Sequence, residues 1–384
     1  MEKKGKIIRV TTVPRSLGGL LQGQLKFMSQ YYEVIGVSSK DENILDRVAK
    51  QEGIAVVPIQ MTRKITPVQD LKAVYQLYKL FKKEKPDIVH SHTPKAGTLS
   101  MLAAKLAGVP NRLHTIAGLP LLEATGAKRL LLDTVEKATY ACASMIYPNS
   151  FGLNDIILKN KYTSAKKLKV IANGSSNGID TSHFDPSGYT KEDNDKLKQE
   201  LDIAPDDFVF VFVGRFVKDK GINELITSFK QLNVEFEKSK LLLVGTYERE
   251  LDPLLPETER EINENPNIIP VGWQNDVRPF FAISNALAFP SYREGFPNVV
   301  MQAGSMGLPS IVTDINGCNE IVSEGINGTI IPPKSSEILY QSMKKFISDP
   351  TYTNQLSLKA RDMICERYER EFVWKSILEE YKKL

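Results

Sequence analysis

The stretch Pro290 to Pro309, PSYREGFPNVVMQAGSMGLP, gathers side chains suited to holding a polar ligand. A strand-like run, Ala286 to Pro290, breaks there into a charged, glycine-containing loop and then enters an apolar helix. Glu294, followed by Gly295 and Pro297, stands at the mouth of that helix, where free N–H groups and the positive dipole end attract phosphate-like or polar ligands. Gly295 lets backbone approach a ligand closely, and Pro297 suits a first helical turn because it has no N–H to lose. Gln302 follows Glu294 by eight positions, just over two helical turns, so both side chains can face one cleft and hydrogen-bond a polyhydroxyl ligand. The same residues also make an ordinary helix start with an acid near its dipole.

Three further places carry candidate chemistry. After the apolar run Phe208 to Val213, GRFVKDKG puts Arg215 and Lys220 on the loop that opens the next helix. In open α/β sheets ligands bind beyond the carboxyl ends of strands, so two cations there can meet a diphosphate, although two basic loop residues are as often simply solvated. Gly18 and Gly19 follow the first strand, in a spacing that is not the dinucleotide fingerprint G-x-G-x-x-G; opening the next helix, they allow close backbone approach to phosphate or sugar, or a tight turn. HSHTPKAG, His90 to Gly97, ends another strand; alternation turns His90 and His92 to one side, and burial against a helix competes with an acceptor-binding role for His92 and Lys95.

REGFPNVVMQA resembles the signature of retaining glycosyltransferases of family 4, in which a Glu, seven residues and a second Glu hold a nucleotide sugar. Gln302 stands where that family usually has its second Glu, and an amide still donates to and accepts from hydroxyls. The resemblance covers essentially the whole chain and implies the two-domain fold called GT-B, with the last helix crossing back to the first domain. It implies a donor site of Gly18, Gly19, Arg215, Lys220, Glu294, Gly295, Phe296, Pro297, Asn298 and Gln302, with Arg215, Lys220 and Glu294 catalytic. It further implies a retaining transfer in which the diphosphate departs and the acceptor hydroxyl attacks from the same face. Many relatives carry a histidine in a Thr-x-His-Gly position where this chain has TIAGLP, so Ala117 offers no base. The implied donor is a UDP-sugar, and the implied acceptor a polyprenyl-diphosphate-linked or free saccharide in bacterial capsule or surface-glycan synthesis. An epimerase of the same shape and a non-catalytic sugar-nucleotide-binding subunit are the rival readings.

Positioning such residues needs two sheets. At 384 residues the chain suits two domains of about 180 residues each, and the expected division is 1–185, binding acceptor, and 186–384, binding the nucleotide sugar. Apolar runs at Ile7 to Val13, Tyr32 to Ser38, Ile54 to Ile59, Asp87 to His92, Arg112 to Ile116, Met145 to Pro148 and Leu168 to Ala172 alternate with helical patterns such as Val68 to Lys83, which carries Leu71, Val74, Tyr75, Leu77, Tyr78 and Leu80. A polar stretch, Asp180 to about Asp207, precedes a second series: FVFVFVGR, KLLLVG, NIIPVGW, ALAFPS, PSIVTD and GTIIPP. Strand and helix in alternation predict two doubly wound α/β domains with parallel sheets, facing each other across a cleft. EFVWKSILEEYKKL at the end reads as an amphipathic helix burying Phe372, Trp374, Ile377, Leu378 and Tyr381.

Composition narrows the class further. With 42% hydrophobic and 25% charged residues the chain reads as globular. No apolar run reaches the roughly 18 residues that span a bilayer, and MEKKGKIIRVTTV is too short for a signal peptide, so a cytoplasmic location is expected. Cys142, Cys318 and Cys365 are dispersed, and the four histidines form no ligand set, so neither a disulfide framework nor a metal is expected. Residues 1 to 185 hold 27 Lys and Arg against 15 Asp and Glu, a surplus of 12; the remainder holds 23 against 31, a deficit of 8, leaving the net +4. The basic half suits anionic lipid or a diphosphate, and lacks an aromatic-basic platform for nucleic acid. Gly118 to Ala143, with Lys128 and Arg129 beside Leu130, Leu131 and Leu132, can rest on the inner face of a membrane or pack on its own sheet.

Overall fold

Runs rich in Val, Ile, Leu and Phe pair into two parallel sheets in a computed structural model that describes residues 5–41, 43–62, 64–119, 121, 124–250 and 252–384. Met1 to Lys4 of the opening segment, and Pro120, Leu122 and Glu123 of Gly118 to Ala143, lie outside the described residues. The chain divides into unit one, Met1–Gly178 with Arg370–Leu384, and unit two, Ile179–Glu369.

In unit one, β1 (Lys6–Val10), β2 (Glu33–Ser38), β3 (Ala55–Pro58), β4 (Ile88–Ser91), β5 (Asn111–Ile116) and β6 (Met145–Pro148) lie in the order β3-β2-β1-β4-β5-β6, all parallel. Central strands covered by helices on both faces are mostly apolar, and Ile7, Ile8, Val10, Ile88 and Val89 are buried accordingly. The covering helices are α1 (Pro14–Leu20), α2 (Gln24–Met28), α3 (Ile44–Glu52), α4 (Pro67–Glu84), α5 (Pro94–Ala107), α6 (Gly126–Cys142) and α7 (Phe151–Lys159). Strand order reverses between β1 and β4, the crevice where open α/β sheets hold ligands. The expected strand at Leu168 to Ala172 does not form: only Leu168 bridges to Ile146, and the backbone turns at Ala172, φ 51°.

Unit two repeats the plan with β7 (Phe208–Val213), β8 (Ser239–Val244), β9 (Ile268–Gly272), β10 (Ala286–Phe289), β11 (Ser310–Thr313) and β12 (Gly328–Ile331), in the parallel order β12-β11-β10-β7-β8-β9. All six expected runs are strands. Here the order reverses between β7 and β10. The helices are α8 (Lys191–Glu200), α9 (Ile222–Glu235), α10 (Pro256–Glu264), α11 (Arg278–Ala282), α12 (Asn298–Ser305), α13 (Cys318–Ile321), α14 (Ser336–Ser348) and α15 (Pro350–Tyr368). Helix α8, in the polar stretch, starts at a capping box in which Thr190 and Asp193 satisfy each other's backbone N–H.

The last helix, α16 (Arg370–Lys382), returns to unit one and buries Val373, Trp374, Ile377, Leu378 and Tyr381. Phe372, expected inside, is 44% exposed, and Val373 takes the inward position. The helix is tied to β1 and β4 by a buried polar chain. Arg9, fully buried, donates to Tyr381 Oη (2.9 Å), to His92 Nε2 (3.0 Å) and to Gln24 Oε1. Tyr381 Oη also meets His90 Nδ1 at 2.6 Å, and His90 Nε2 meets Thr115 Oγ1 at 2.8 Å. Because a guanidinium only donates, Tyr381 Oη accepts from Arg9, which leaves its O–H free to donate to His90 Nδ1.

Burial, with Arg9 adding positive charge, holds His90 and His92 neutral, well below the ordinary imidazole range, and burial lowers His114 to about 4. The unfolded chain therefore takes up protons first as pH falls below about 6.5, and stability is lost on acidification and complete above about 7. At pH 5, His114 alone costs about 2 kcal/mol. His90, His92 and His114 all lie in unit one, so this loss falls there. Urea titrations at about pH 7.5 and pH 5 should give a lower unfolding free energy for unit one at the acid value; equal values would contradict this reading.

Candidate active site

The loops leaving β7 and β10 emerge side by side at the reversal point of unit two. The first, Gly214 to Gly221, ends in a 3₁₀ turn over Lys218–Lys220 that delivers Lys220 to the mouth of α9. Gly221 is required there: its φ is 70°, and a Cβ would stand 2.1 Å from the carbonyl oxygen of Pro290. That close approach presses the two loops together. The Tyr292 N–H donates to the Asp219 carbonyl at 2.9 Å, and the Arg293 guanidinium donates to Asp219 Oδ2 at 2.8 Å.

Between the loops, Lys220 Nζ forms an ion pair with Glu294 Oε1, both side chains mostly buried, and Ser291 Oγ donates to the same oxygen at 2.8 Å. Lys220 also lies 5.7 Å from the centroid of the Phe289 ring. The Asn316 amide, on the loop after β11, donates to the carbonyls of Glu294 and Gly295, the latter at 3.3 Å, and so fixes the course of the glutamate loop. Cys318 is buried beneath it. Burial, reinforced by the Glu294 charge, pushes its thiol well above the ordinary range, which leaves it inert as a nucleophile.

The expected site residues divide into groups. Lys220 and Glu294 are brought together. Arg215, on the same loop, is half exposed and pairs with Glu248 at 2.6 Å. Gly295 continues the loop; Phe296 is buried edge-on to Tyr368, ring centroids 5.3 Å apart, and anchors it. Pro297 occupies the cap position and Asn298 is the first, exposed, residue of α12. Gln302 lies on the next turn, half-buried, its amide unengaged among the described residues. Ser291, Asn316, Arg293 and Glu248 were not singled out in the sequence; Ser291 lay within the signature stretch, three positions before Glu294.

In unit one, Gly18 and Gly19 lie inside α1, which already starts at Pro14, rather than opening it. A Cβ on Gly18 would come within 2.7 Å of the Val48 side chain on α3, so Gly18 serves helix packing; a Cβ on Gly19 meets nothing. His92 is buried at the carboxyl end of β4, its Nε2 engaged by Arg9 and its Nδ1 without a partner among the described residues. Lys95, on the first turn of α5, pairs with Asp70.

Two doubly wound parallel sheets, the second with a cation–carboxylate pair at its reversal point, make a GT-B frame. Comparison with known proteins places it. The family described as "Glycosyl transferases group 1" matches residues 193–363, and "Glycosyl transferase 4-like" matches residues 22–150. The chain is 32% identical over 376 residues to the capsular polysaccharide biosynthesis glycosyltransferase CapM of Staphylococcus aureus, covering 98% of this chain and 96% of that protein. It is 29% identical to the Escherichia coli UDP-Gal:alpha-D-GlcNAc-diphosphoundecaprenol alpha-1,3-galactosyltransferase, covering 94% and 92%. In fold it is similar to Anabaena Alr3699/HepE, crystallised in complex with UDP, with a TM-score of 0.82 at 20% identity over 99% of this chain and 100% of that one. The chain belongs to the group 1 glycosyltransferases, and it is an enzyme of that class.

Proposed function

We propose that this enzyme transfers a hexose or N-acetylhexosamine from a UDP-sugar to a sugar carried on polyprenyl diphosphate, with retention, during assembly of a bacterial capsular or surface polysaccharide. The Lys220–Glu294 pair at the β7/β10 reversal carries this reading; the name of the E. coli relative supports the donor and acceptor class, and that of the S. aureus relative supports capsule synthesis. The bond from the sugar's anomeric carbon to the diphosphate oxygen breaks, and the acceptor hydroxyl oxygen bonds to that carbon on the same face. The hydroxyl proton leaves on the departing phosphate, so no protein base is needed. Lys220 and Arg215 neutralise the charge that grows on the diphosphate, while Glu294 accepts from sugar hydroxyls and Gln302 from the ribose. The exposed Arg215–Glu248 pair is weak, so a phosphate can displace Glu248 at little cost. Unit one holds the acceptor in this scheme, with His92 and Lys95 its candidate contacts.

With two side-chain cations on the leaving group, the transfer needs no divalent metal, and activity is expected to survive EDTA unchanged; loss restored by added Mg²⁺ or Mn²⁺ would refute that part. The whole reading is tested by incubating radiolabelled nucleotide sugars with a polyprenyl-diphosphate-linked saccharide. Label from one UDP-sugar should enter the organic-extractable fraction, with the donor's anomeric configuration kept in the NMR spectrum of the product. An inverted linkage would remove the mechanism, and label staying in the aqueous phase would remove the acceptor class.

A further inference from the structure

Arg9 is a buried cation with no counter-ion beside it. Its guanidinium is fully buried on β1, yet its three hydrogen-bond partners, Gln24, His92 and Tyr381, are all uncharged, burial having pushed the Tyr381 phenol up to about 12. No carboxylate among the described residues pairs with it. A charge so far from water is costly unless opposite charge reaches it. The same guanidinium settles where His92 carries its proton. Arg9 Nε donates to His92 Nε2, and a guanidinium only donates, so Nε2 must offer its lone pair. The single proton of this neutral ring therefore sits on Nδ1. His90, its ring centroid 4.2 Å away, is held in the opposite form: Nδ1 accepts from Tyr381, and Nε2–H donates to Thr115. His92 is 3% exposed, and its Nδ1 has no partner among the described residues. Buried donors almost always find a partner, so an unmet one marks a place for a ligand oxygen.

Placement gives that oxygen its charge. His92 directly follows β4 and Arg9 lies on β1, the two strands at which the order of the first sheet reverses. Open sheets hold ligands beyond the carboxyl ends of such strands. Helix α5 starts at the same place, and no side chain caps it, because its cap residue Thr93 gives its hydroxyl to Thr12. Lys95 on its first turn is already neutralised by Asp70, so the surplus charge is that of Arg9. The positive end of a 14-residue helix, an unmet N–H and an unbalanced guanidinium all favour an anion. We propose that Arg9 is a positioning residue: it locks His92 as a fixed Nδ1–H donor to a phosphate oxygen of the substrate, and that anion balances the Arg9 charge. The ligand class, a diphosphate, rests on the proposed lipid-linked acceptor and UDP-sugar donor. Locked in this form His92 is no general base, because Arg9 holds its one lone pair.

The full chain has four histidines, so nitrogen NMR of the protein labelled in its histidine rings tests this at neutral pH, with His92→Asn identifying the signal. His92 should show a protonated Nδ1 and a bare Nε2. Titration with a short-chain prenyl diphosphate should then shift the Nδ1 signal; a shift with UDP alone assigns the anion to the donor instead. A protonated Nε2 would overturn the inference, as would an Nδ1 signal that neither ligand moves. Kinetics give a second readout. His92→Gln keeps an oxygen for Arg9 and loses the Nδ1 donor, whereas His92→Asn places an amide N–H near the Nδ1 position. KM for the substrate whose diphosphate shifts the signal should rise about ten- to 100-fold in His92→Gln, the worth of one hydrogen bond to a charged group, and most of that loss should be recovered in His92→Asn. Equal losses in the two variants would mean that His92 only packs, and would overturn the inference. In Arg9→Met the ring should revert to a mixture of both forms, and an unchanged ring would remove the lock; the two His92 variants decide the matter if that chain does not fold. If signals and KM for diphosphate behave as expected and no saccharide acceptor is glycosylated, the functional reading fails and the anion site stands.

Discussion

Replacing Lys220 with alanine is expected to lower kcat about 100- to 1,000-fold, ~3 to 4 kcal/mol of barrier, the cost of removing one preorganised charge from a departing oxyanion. The structure fixes Lys220 in place: the 3₁₀ turn sets its backbone, Gly221 brings its loop against Pro290, and Glu294 holds its ammonium. The substitution also strands Glu294, a mostly buried carboxylate left, among the described residues, with the Ser291 hydroxyl donating to it. Donor affinity should therefore suffer together with turnover. Steady-state kinetics with the preferred donor separate the two: a fall in kcat assigns Lys220 to the transition state, whereas a rise in KM at unchanged kcat would mean that it only helps the donor bind. Arg215→Ala should act in the same direction with a smaller loss, because Arg215 is half exposed and its charge is screened by solvent.

Deleting Arg370–Leu384 is expected to unfold unit one. The segment is the final 15 residues, yet it buries Val373, Trp374, Ile377, Leu378 and Tyr381 against the first sheet and α2. At ~1.5 to 3 kcal/mol for each large apolar side chain, the loss is on the order of 10 kcal/mol, comparable to the whole stability of a domain. It also removes the Tyr381 hydroxyl from Arg9, leaving a buried cation with one partner fewer. The truncated chain should show rapid proteolysis confined to residues before Gly178, with unit two intact. Tyr381→Phe isolates the polar part and should cost about 1 to 3 kcal/mol. A truncated protein that resists protease like wild type would contradict this account of α16.

Most of the frame was legible because a parallel strand covered on both faces is mostly apolar along its length, so FVFVFV and KLLLVG declare themselves. The same rule misled at Leu168 to Ala172, where the apolar run ends in a left-handed turn and pairs through one residue. The start of α1 was misplaced because the paired glycines drew attention from Pro14, the better first-turn residue. Glu294 was legible from its glycine and proline neighbours. Its partner Lys220 lies 74 residues away and its strap Asn316 on the far side of β11, and only the order of strands brings those loops together. On α4, Leu71 and Tyr75 fit the apolar period yet are 71% and 57% exposed, because periodicity reports that a helix is amphipathic, and a helix with two apolar faces satisfies the same pattern.

The central claim, a transferase that spends a UDP-sugar on a lipid-linked saccharide, is most directly tested by nucleoside diphosphate release across a panel of nucleotide sugars, with and without that acceptor. UDP release is expected from one donor, dependent on acceptor, and lost in both Lys220→Ala and Glu294→Ala. Interconversion of the free nucleotide sugar without acceptor, or tight UDP binding with no release under any condition, would contradict it.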